Sequence, residues 1–161
     1  MARSRLTGAR TYRRIGGLVI PFYETVTDVP TSEARALYDL YNMADGDNWD
    51  DNTNWLQTTT VANWYGITVD AGHVTKIELD DNSLSGNIAT FDPTDFPSLT
   101  HLDLGLNSLS GDIGSWSFPN TLTLIGLAVN SFNYVDIGSW SLPSSLTHIL
   151  CQSAYFVGDV S

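Results

Sequence analysis

From Val74 onward the apolar positions recur in four registered sets. The first holds Val74, Ile77, Leu79, Leu84 and Ile88, with Asn82 and Gly86 between them. The second holds Leu99, Leu102, Leu104, Asn107, Leu109, Gly111 and Ile113. The third runs Leu122, Ile125, Leu127, Asn130 and Phe132, with one extra residue before Ile137. The fourth is Leu146, Ile149, Cys151, Ala154, Phe156, Gly158 and Val160. Successive sets start 25, 23 and 24 residues apart, a period that belongs to solenoids. Within each set, alternate apolar residues read as the inward face of a short strand. The Asn that follows sits where the chain turns, and its amide can bond backbone groups that would otherwise be buried unpaired. Stacked coils therefore predict an asparagine ladder through Asn82, Asn107 and Asn130, broken at Ala154. They also predict that Leu79, Leu104, Leu127 and Cys151 are neighbours on adjacent parallel strands. The segment Ile113–Pro119 repeats as Ile137–Pro143. Phe96, Phe118 and Leu142, each followed by proline, are expected to form a second apolar column.

Upstream the pattern changes. Ala34, Leu37, Tyr38 and Tyr41 fall at helical spacing and predict a helix over residues 31–44, capped by Thr31 or Ser32, with Glu33 in its first turn. Residues 45–60 read as a polar loop whose Trp49, Trp55 and Leu56 plug back onto the core. Trp64–Val69 reads as a short strand with a turn at Asp70-Ala71-Gly72. Before the helix, Leu18–Tyr23 and Thr25–Thr27 carry the β-branched bias of an extended segment, preceded by Gly16-Gly17 and closed by Pro30. The expected division is an arm over 1–30, an N-terminal cap over 31–73 and four repeats over 74–161.

The repeated L-x-x-L-x-L-x-x-N-x-L-x-G-x-I pattern resembles the leucine-rich repeats, specifically the L-x-G-x-I type of plant receptor and inhibitor ectodomains and many bacterial proteins. Residues 31–73 resemble the helical N-terminal cap of that family, so the resemblance covers about four fifths of the chain. It implies an α/β horseshoe-class solenoid, mainly β in this chain: parallel β coils with one capping helix. Two departures stand out. Plant-type caps carry a cysteine pair around their W-x-G-V segment, where this chain has Asn63 and Val69. The last coil stops at Ser161 without a recognisable C-terminal cap, and an open end is expected to leave strand groups and core residues facing water.

Composition sharpens this picture. Hydrophobic residues are 42% of the chain and charged residues 16%, which excludes a wholly disordered protein. Charge is segregated. Arg3, Arg5, Arg10, Arg13 and Arg14 give residues 1–23 a charge of +5, while residues 24–161 carry −16. The acidic body should repel nucleic acid, so nucleic acid is not expected as a partner except through the arm, which could bind an acidic protein surface, RNA or DNA. The apolar run after the arginines is short, ends at Pro21 and has no cleavage site, so no secretory signal is expected. No run reaches membrane-span length. Cys151 is the only cysteine, which excludes an internal disulfide framework.

The resemblance implies that outward strand residues line a concave face that binds a protein. The columns are Lys76, His101, Leu124, His148; then Glu78, Asp103, Gly126, Leu150; then Asp80, Gly105, Ala128, Gln152; and Asp81, Leu106, Val129, Ser153. The partner-binding candidates are Lys76, Glu78, His101, Asp103, Leu106, Leu124, Val129, His148 and Leu150. Leu106, Leu124, Val129 and Leu150 would be exposed neighbours, and clustered exposed aliphatics mark interfaces. Trp116 and Trp140 occupy equivalent places and are expected to stack on each other and the core, the alternative being convex-face anchors for a partner or a sugar ring. Asp45 and Asp47 fit the first places of a calcium loop, but Trp49 and the missing bidentate Glu favour a polar cap loop. His101 with Glu78 and Asp103 reads as solvated face residues rather than a metal or acid–base site. No catalytic constellation, metal ligand set or cofactor motif is found.

The sequence thus predicts a non-enzymatic binding or assembly module. Its arginines, Arg3 to Arg14, would anchor residues 1–30 to other subunits of a larger body such as a virion or surface structure. That would fit a virion surface or a cell exterior reached by a non-classical route. The alternative is a free bacterial-type recognition protein binding a protein or glycan on its concave face.

Overall fold

The computed structural model of the chain describes residues 12–133, 135–152 and 156–157. Arg3, Arg5, Arg10, Ser153, Ala154, Gly158 and Val160 lie outside the described residues, and so do the expectations attached to them. An antiparallel hairpin opens the structure, β1 (Tyr12–Ile15) with β2 (Leu18–Pro21), turning at Gly16-Gly17. The expected extended segment then breaks into a 3₁₀ turn, Phe22–Thr25, because Phe22 turns inward and is buried. Helix α1 spans Thr31–Met43. Its cap position is Pro30, and no side chain caps it. The helix thus begins one residue earlier than a Thr31 cap requires and two earlier than a Ser32 cap does, with both hydroxyls already inside the first turn.

Strands β3 (Ile67–Asp70) and β4 (His73–Glu78) pair antiparallel. Next come β5 (Ser85–Asn87), β6 (His101–Asp103), β7 (Ser108–Gly111) and β8 (Leu124–Gly126). The rest are β9 (Ser131–Phe132), β10 (Val135–Asp136), β11 (His148–Leu150) and β12 (Phe156–Val157). The main sheet runs β11-β8-β6-β4-β3, parallel from β4 to β11. A second parallel sheet, β5-β7-β9, follows the next corner of each coil. The architecture is the expected solenoid of parallel coils, with one α-helix among the described residues, at the N-terminal end.

Register is set as the spacing predicts. Leu79, Leu104 and Leu127 are fully buried, and their amides donate to Asp103, Gly126 and Leu150 of the following coil at 2.7–2.8 Å. Cys151 continues the row half-buried, and burial pushes its thiol up from its ordinary value. The asparagines bind backward along the stack. Asn107 Oδ1 accepts from Leu84 N at 2.9 Å while its Nδ2 donates to Leu79 O at 2.9 Å. Asn130 repeats this on Leu109 N and Leu104 O, both at 2.9 Å. Asn82 has no earlier coil and grips the cap loop instead, exchanging bonds with Asp51 N at 2.7 Å and Asp51 O at 2.9 Å.

Gly86 and Gly111, in the L-x-G-x-I stretch, have φ of +123° and +116°. A Cβ at Gly86 would run into the Met43 carbonyl, and one at Gly111 into Asn87 and, at 3.0 Å, Ala89 N. Only glycine lets neighbouring backbone approach this closely in that conformation.

Helix α1 and the loop after it pack against the N-terminal end of the stack. Trp49, Trp55 and Trp64 pack in series, with ring centroids 5.0 Å and 4.9 Å apart, and Trp55 also stacks on Tyr41 at 5.7 Å. Each indole N–H finds a carbonyl: Ala44 for Trp49, Tyr65 for Trp55 and Thr58 for Trp64. This satisfies the polar edge that makes a buried tryptophan expensive. The Glu33 carboxylate is buried and accepts from Val74 N, with His73 Nδ1 also at 2.7 Å. It ties the helix to the first parallel strand.

Candidate functional site on the main sheet

The outward columns fall into register as the spacing requires. Lys76, His101, Leu124 and His148 are paired across β4, β6, β8 and β11, as are Glu78, Asp103, Gly126 and Leu150. The structure therefore brings the candidate residues Lys76, Glu78, His101, Asp103, Leu124, His148 and Leu150 onto one face. Leu106 and Val129 lie just past the strands, on the same edge of that face. Leu106 is 52% exposed, Val129 54% and Leu150 45%. Leu124 differs from expectation: it is half-buried, not exposed.

Asp81, Leu106 and Val129 share a further property, with φ of +48°, +54° and +56°. The left-handed conformation aims their amides at the next coil. Asp81 N donates to Gly105 O at 3.1 Å and Leu106 N to Ala128 O at 2.8 Å. Residues with a Cβ adopt this region at a penalty of roughly 1–2 kcal/mol, and β-branched valine is among the rarest there. Asparagine or glycine would relieve it. Leu106 and Val129 thus combine strained backbone with exposed apolar side chains.

The other end of the face is acidic. Glu78 and Asp80 are exposed, and Lys76 Nζ sits 3.8 Å from Glu78 Oε1. Asp103 is half-buried, accepts from Gly105 N at 3.0 Å, and its carboxylate fills the space a side chain on Gly126 would need. Burial pushes the Asp103 carboxyl above its ordinary value; the Gly105 hydrogen bond opposes this, and the charges of Asp80 and Glu78 add to it. His101 Nδ1 lies 2.9 Å from Thr100 Oγ1, and His148 Nδ1 lies 2.8 Å from Thr147 Oγ1. Both rings are held by the adjacent hydroxyl rather than by a carboxylate. Among the described residues no three His, Cys, Asp or Glu side chains gather as a metal site. The surface offers apolar contact beside negative charge.

The Asp45–Asp51 loop is tied within itself, to helix α1 and to the first coil. The Asp45 carboxylate takes both its bonds from Asn48, Asp47 accepts from the Tyr41 hydroxyl, and Asp50 accepts from Ser83. On the descending side, Trp116 and Trp140 are both buried, with Phe118 between them at 6.5 Å and 5.2 Å. The expected pair is thus an interleaved stack, because the phenylalanine column inserts one ring per coil. Trp140 Nε1 donates to Ile113 O at 3.1 Å. Trp116 Nε1 finds no hydrogen-bond partner among the described residues, and its ring lines a recess of about 170 Å³ with Phe91 and Asp92.

Of the arm arginines, Arg13 turns back onto the cap, its guanidinium 5.0 Å over the Phe22 ring and donating to Gln57 O at 3.3 Å. Arg14 is exposed.

Sequence reasoning missed a hydroxyl ladder behind the face. Thr100, Thr123 and Thr147 each donate from Oγ1 to the threonine one coil earlier, Thr75, Thr100 and Thr123, at 2.9–3.0 Å. The signal was the threonine recurring two residues before each strand's central apolar position. Also missed was the Glu33–Val74 bond, which reads in sequence only as an acid in a helix's first turn.

No protein-family model matches the chain, and no curated protein does. Among solved structures it is similar to a chain of the BIR3–SERK2 complex from Arabidopsis thaliana. That match has 20% identity, covers 72% of this chain and 65% of that one, and has a TM-score of 0.49. It is also similar to the LRR ectodomain of the receptor kinase SOBIR1 from Arabidopsis thaliana, at 15% identity, 83% and 99% coverage and a TM-score of 0.43. The chain spans just under two thirds of the first of these.

Proposed function

We propose that this chain is a non-enzymatic protein-binding module whose docking surface is the concave sheet face. Lys76, Glu78, His101, Asp103 and His148 form the polar part, and Leu106, Leu124, Val129 and Leu150 the apolar part. Its repeats are of the L-x-G-x-I type with a helical N-terminal cap, supported by the close approach at Gly86 and Gly111 and by α1 sealing the first coil. The arm, with Arg3, Arg5, Arg10, Arg13 and Arg14, joins the module to a larger assembly such as a virion or surface structure; its charge, opposite to that of the body, supports this.

One observation carries the binding reading. Leu106 and Val129 are exposed while held at positive φ, where a polar residue would be both more soluble and less strained. Folding alone gives no reason for those side chains, whereas a contact surface does. The test is selection of peptides from a displayed random library on the full chain. Recovered peptides are expected to bind Leu106→Glu/Val129→Glu at least about tenfold more weakly, a change of ~1.4 kcal/mol. They should bind Ser117→Glu, on the descending side, as they bind the parent. Equal binding to both variants, with both folded by circular dichroism, overturns the reading.

A further inference from the structure

Exposed apolar side chains are not scattered over this molecule. Of the eight large ones among the described residues, four lie on the β1–β2 hairpin: Tyr12, Ile15, Leu18 and Val19. Three lie on the concave edge: Leu106, Val129 and Leu150. Only Tyr65 falls elsewhere. The two patches carry opposite charge. The hairpin belongs to the segment of residues 1–23, with +5, and presents Arg14 to solvent. The concave patch borders Glu78, Asp80, Asp81 and the half-buried Asp103.

The hairpin's base is engaged and its tip is not. Arg13 sits over Phe22, and Arg13 and its strand partner Ile20 are half-buried against the cap. Beyond them Ile15 pairs with Leu18, which is 66% exposed, and a Cβ built on Gly16 or Gly17 meets nothing within 4 Å. An isolated two-stranded hairpin is marginal in water, and a bare apolar tip makes it more so. Packing that tip on an apolar surface with complementary charge removes both penalties.

We infer that the N-terminal hairpin of one copy docks on the concave face of a second copy. This rests on the binding reading above and names its partner as another molecule of this chain. Ile15, Leu18 and Val19 cover Leu106, Val129 and Leu150, and Arg14 faces Glu78, Asp80 and Asp103. The contact is heterologous, since two different patches meet, so it propagates head to tail as a ring or an open filament.

Sedimentation velocity on the full chain tests this with two variants, one of each patch: Ile15→Asp/Leu18→Asp and Leu106→Glu/Val129→Glu. The parent's sedimentation coefficient is expected to climb with protein concentration and to climb less in high salt. Each variant alone should stay monomeric. Mixed in equal amounts, they should form a heterodimer and stop there, because one supplies the only working tip and the other the only working face. A parent that remains monomeric at every concentration, a variant that still associates by itself, or a mixture with no dimer overturns the inference. If the inference falls while library peptides still need Leu106 and Val129, the binding reading stands; if the peptides ignore those residues too, both fall.

Discussion

Two leucines two residues apart in the repeat behave in opposite ways. Leu104 points inward, is fully buried, and stacks between Leu79 and Leu127. Leu106, at the mouth of the next turn, is half exposed and sits at φ +54°. The inner row is what makes coils cohere, since each coil buries its apolar edge only against its neighbours. The outer row does the reverse, adding backbone strain and wet apolar surface. The contrast teaches that one residue type at two places in a repeat can answer two demands: the inner row serves folding, and the outer row, on the proposed function, serves recognition.

The comparison breaks most visibly at the inner row. Leu104→Ala should destabilise by about 2–5 kcal/mol, the range for a large-to-small change in a sealed core. Chemical denaturation would register it as a lower midpoint. Next is the ladder that holds the turns. Asn107→Ala leaves Asn82 N, Leu84 N and three carbonyls without the amide that serves them, and should cost about 1–3 kcal/mol. Hydrogen exchange should show the loss of protection at Leu84 while the cap amides of residues 55–64 keep theirs.

The acidic end of the face gives the smallest effect. The Asp103 carboxyl is raised in the folded state by burial, so its charged form disfavours folding above its folded-state pKa. Asp103→Asn should therefore raise the melting temperature slightly at neutral pH. The advantage should shrink as pH falls through that raised value and vanish below the ordinary aspartate range. An advantage that grows on acidification would contradict the assigned sign.

Much of this was legible in the chain. Apolar spacing gave the register of Leu79, Leu104 and Leu127, and recurrence of Asn82, Asn107 and Asn130 gave the ladder, because both signals repeat in every coil. The candidate columns from Lys76 to His148 followed from counting alternate residues. What repeats with variation was harder to read. The Thr100–Thr123–Thr147 ladder was hidden because a strand threonine reads as a solvated polar residue. The left-handed turn at Leu106 and Val129 was hidden because leucine and valine argue against it, and only the hydrogen bonds of the neighbouring coil force it. Single-copy contacts in the cap, such as Glu33 on Val74, have no second instance to reveal them. The interleaving of Phe118 between Trp116 and Trp140 depends on the pitch of the coil, which spacing alone does not give.

The most direct measurement is the thermal stability of Leu106→Asn/Val129→Asn beside its binding to library peptides. Asparagine fits the left-handed turn better than leucine or valine, so the melting temperature should hold or rise, by a gain of up to about 1 kcal/mol, while peptide binding falls. A melting temperature that drops together with binding would mean that Leu106 and Val129 belong to the folding core after all, and would contradict the division of labour between the two rows.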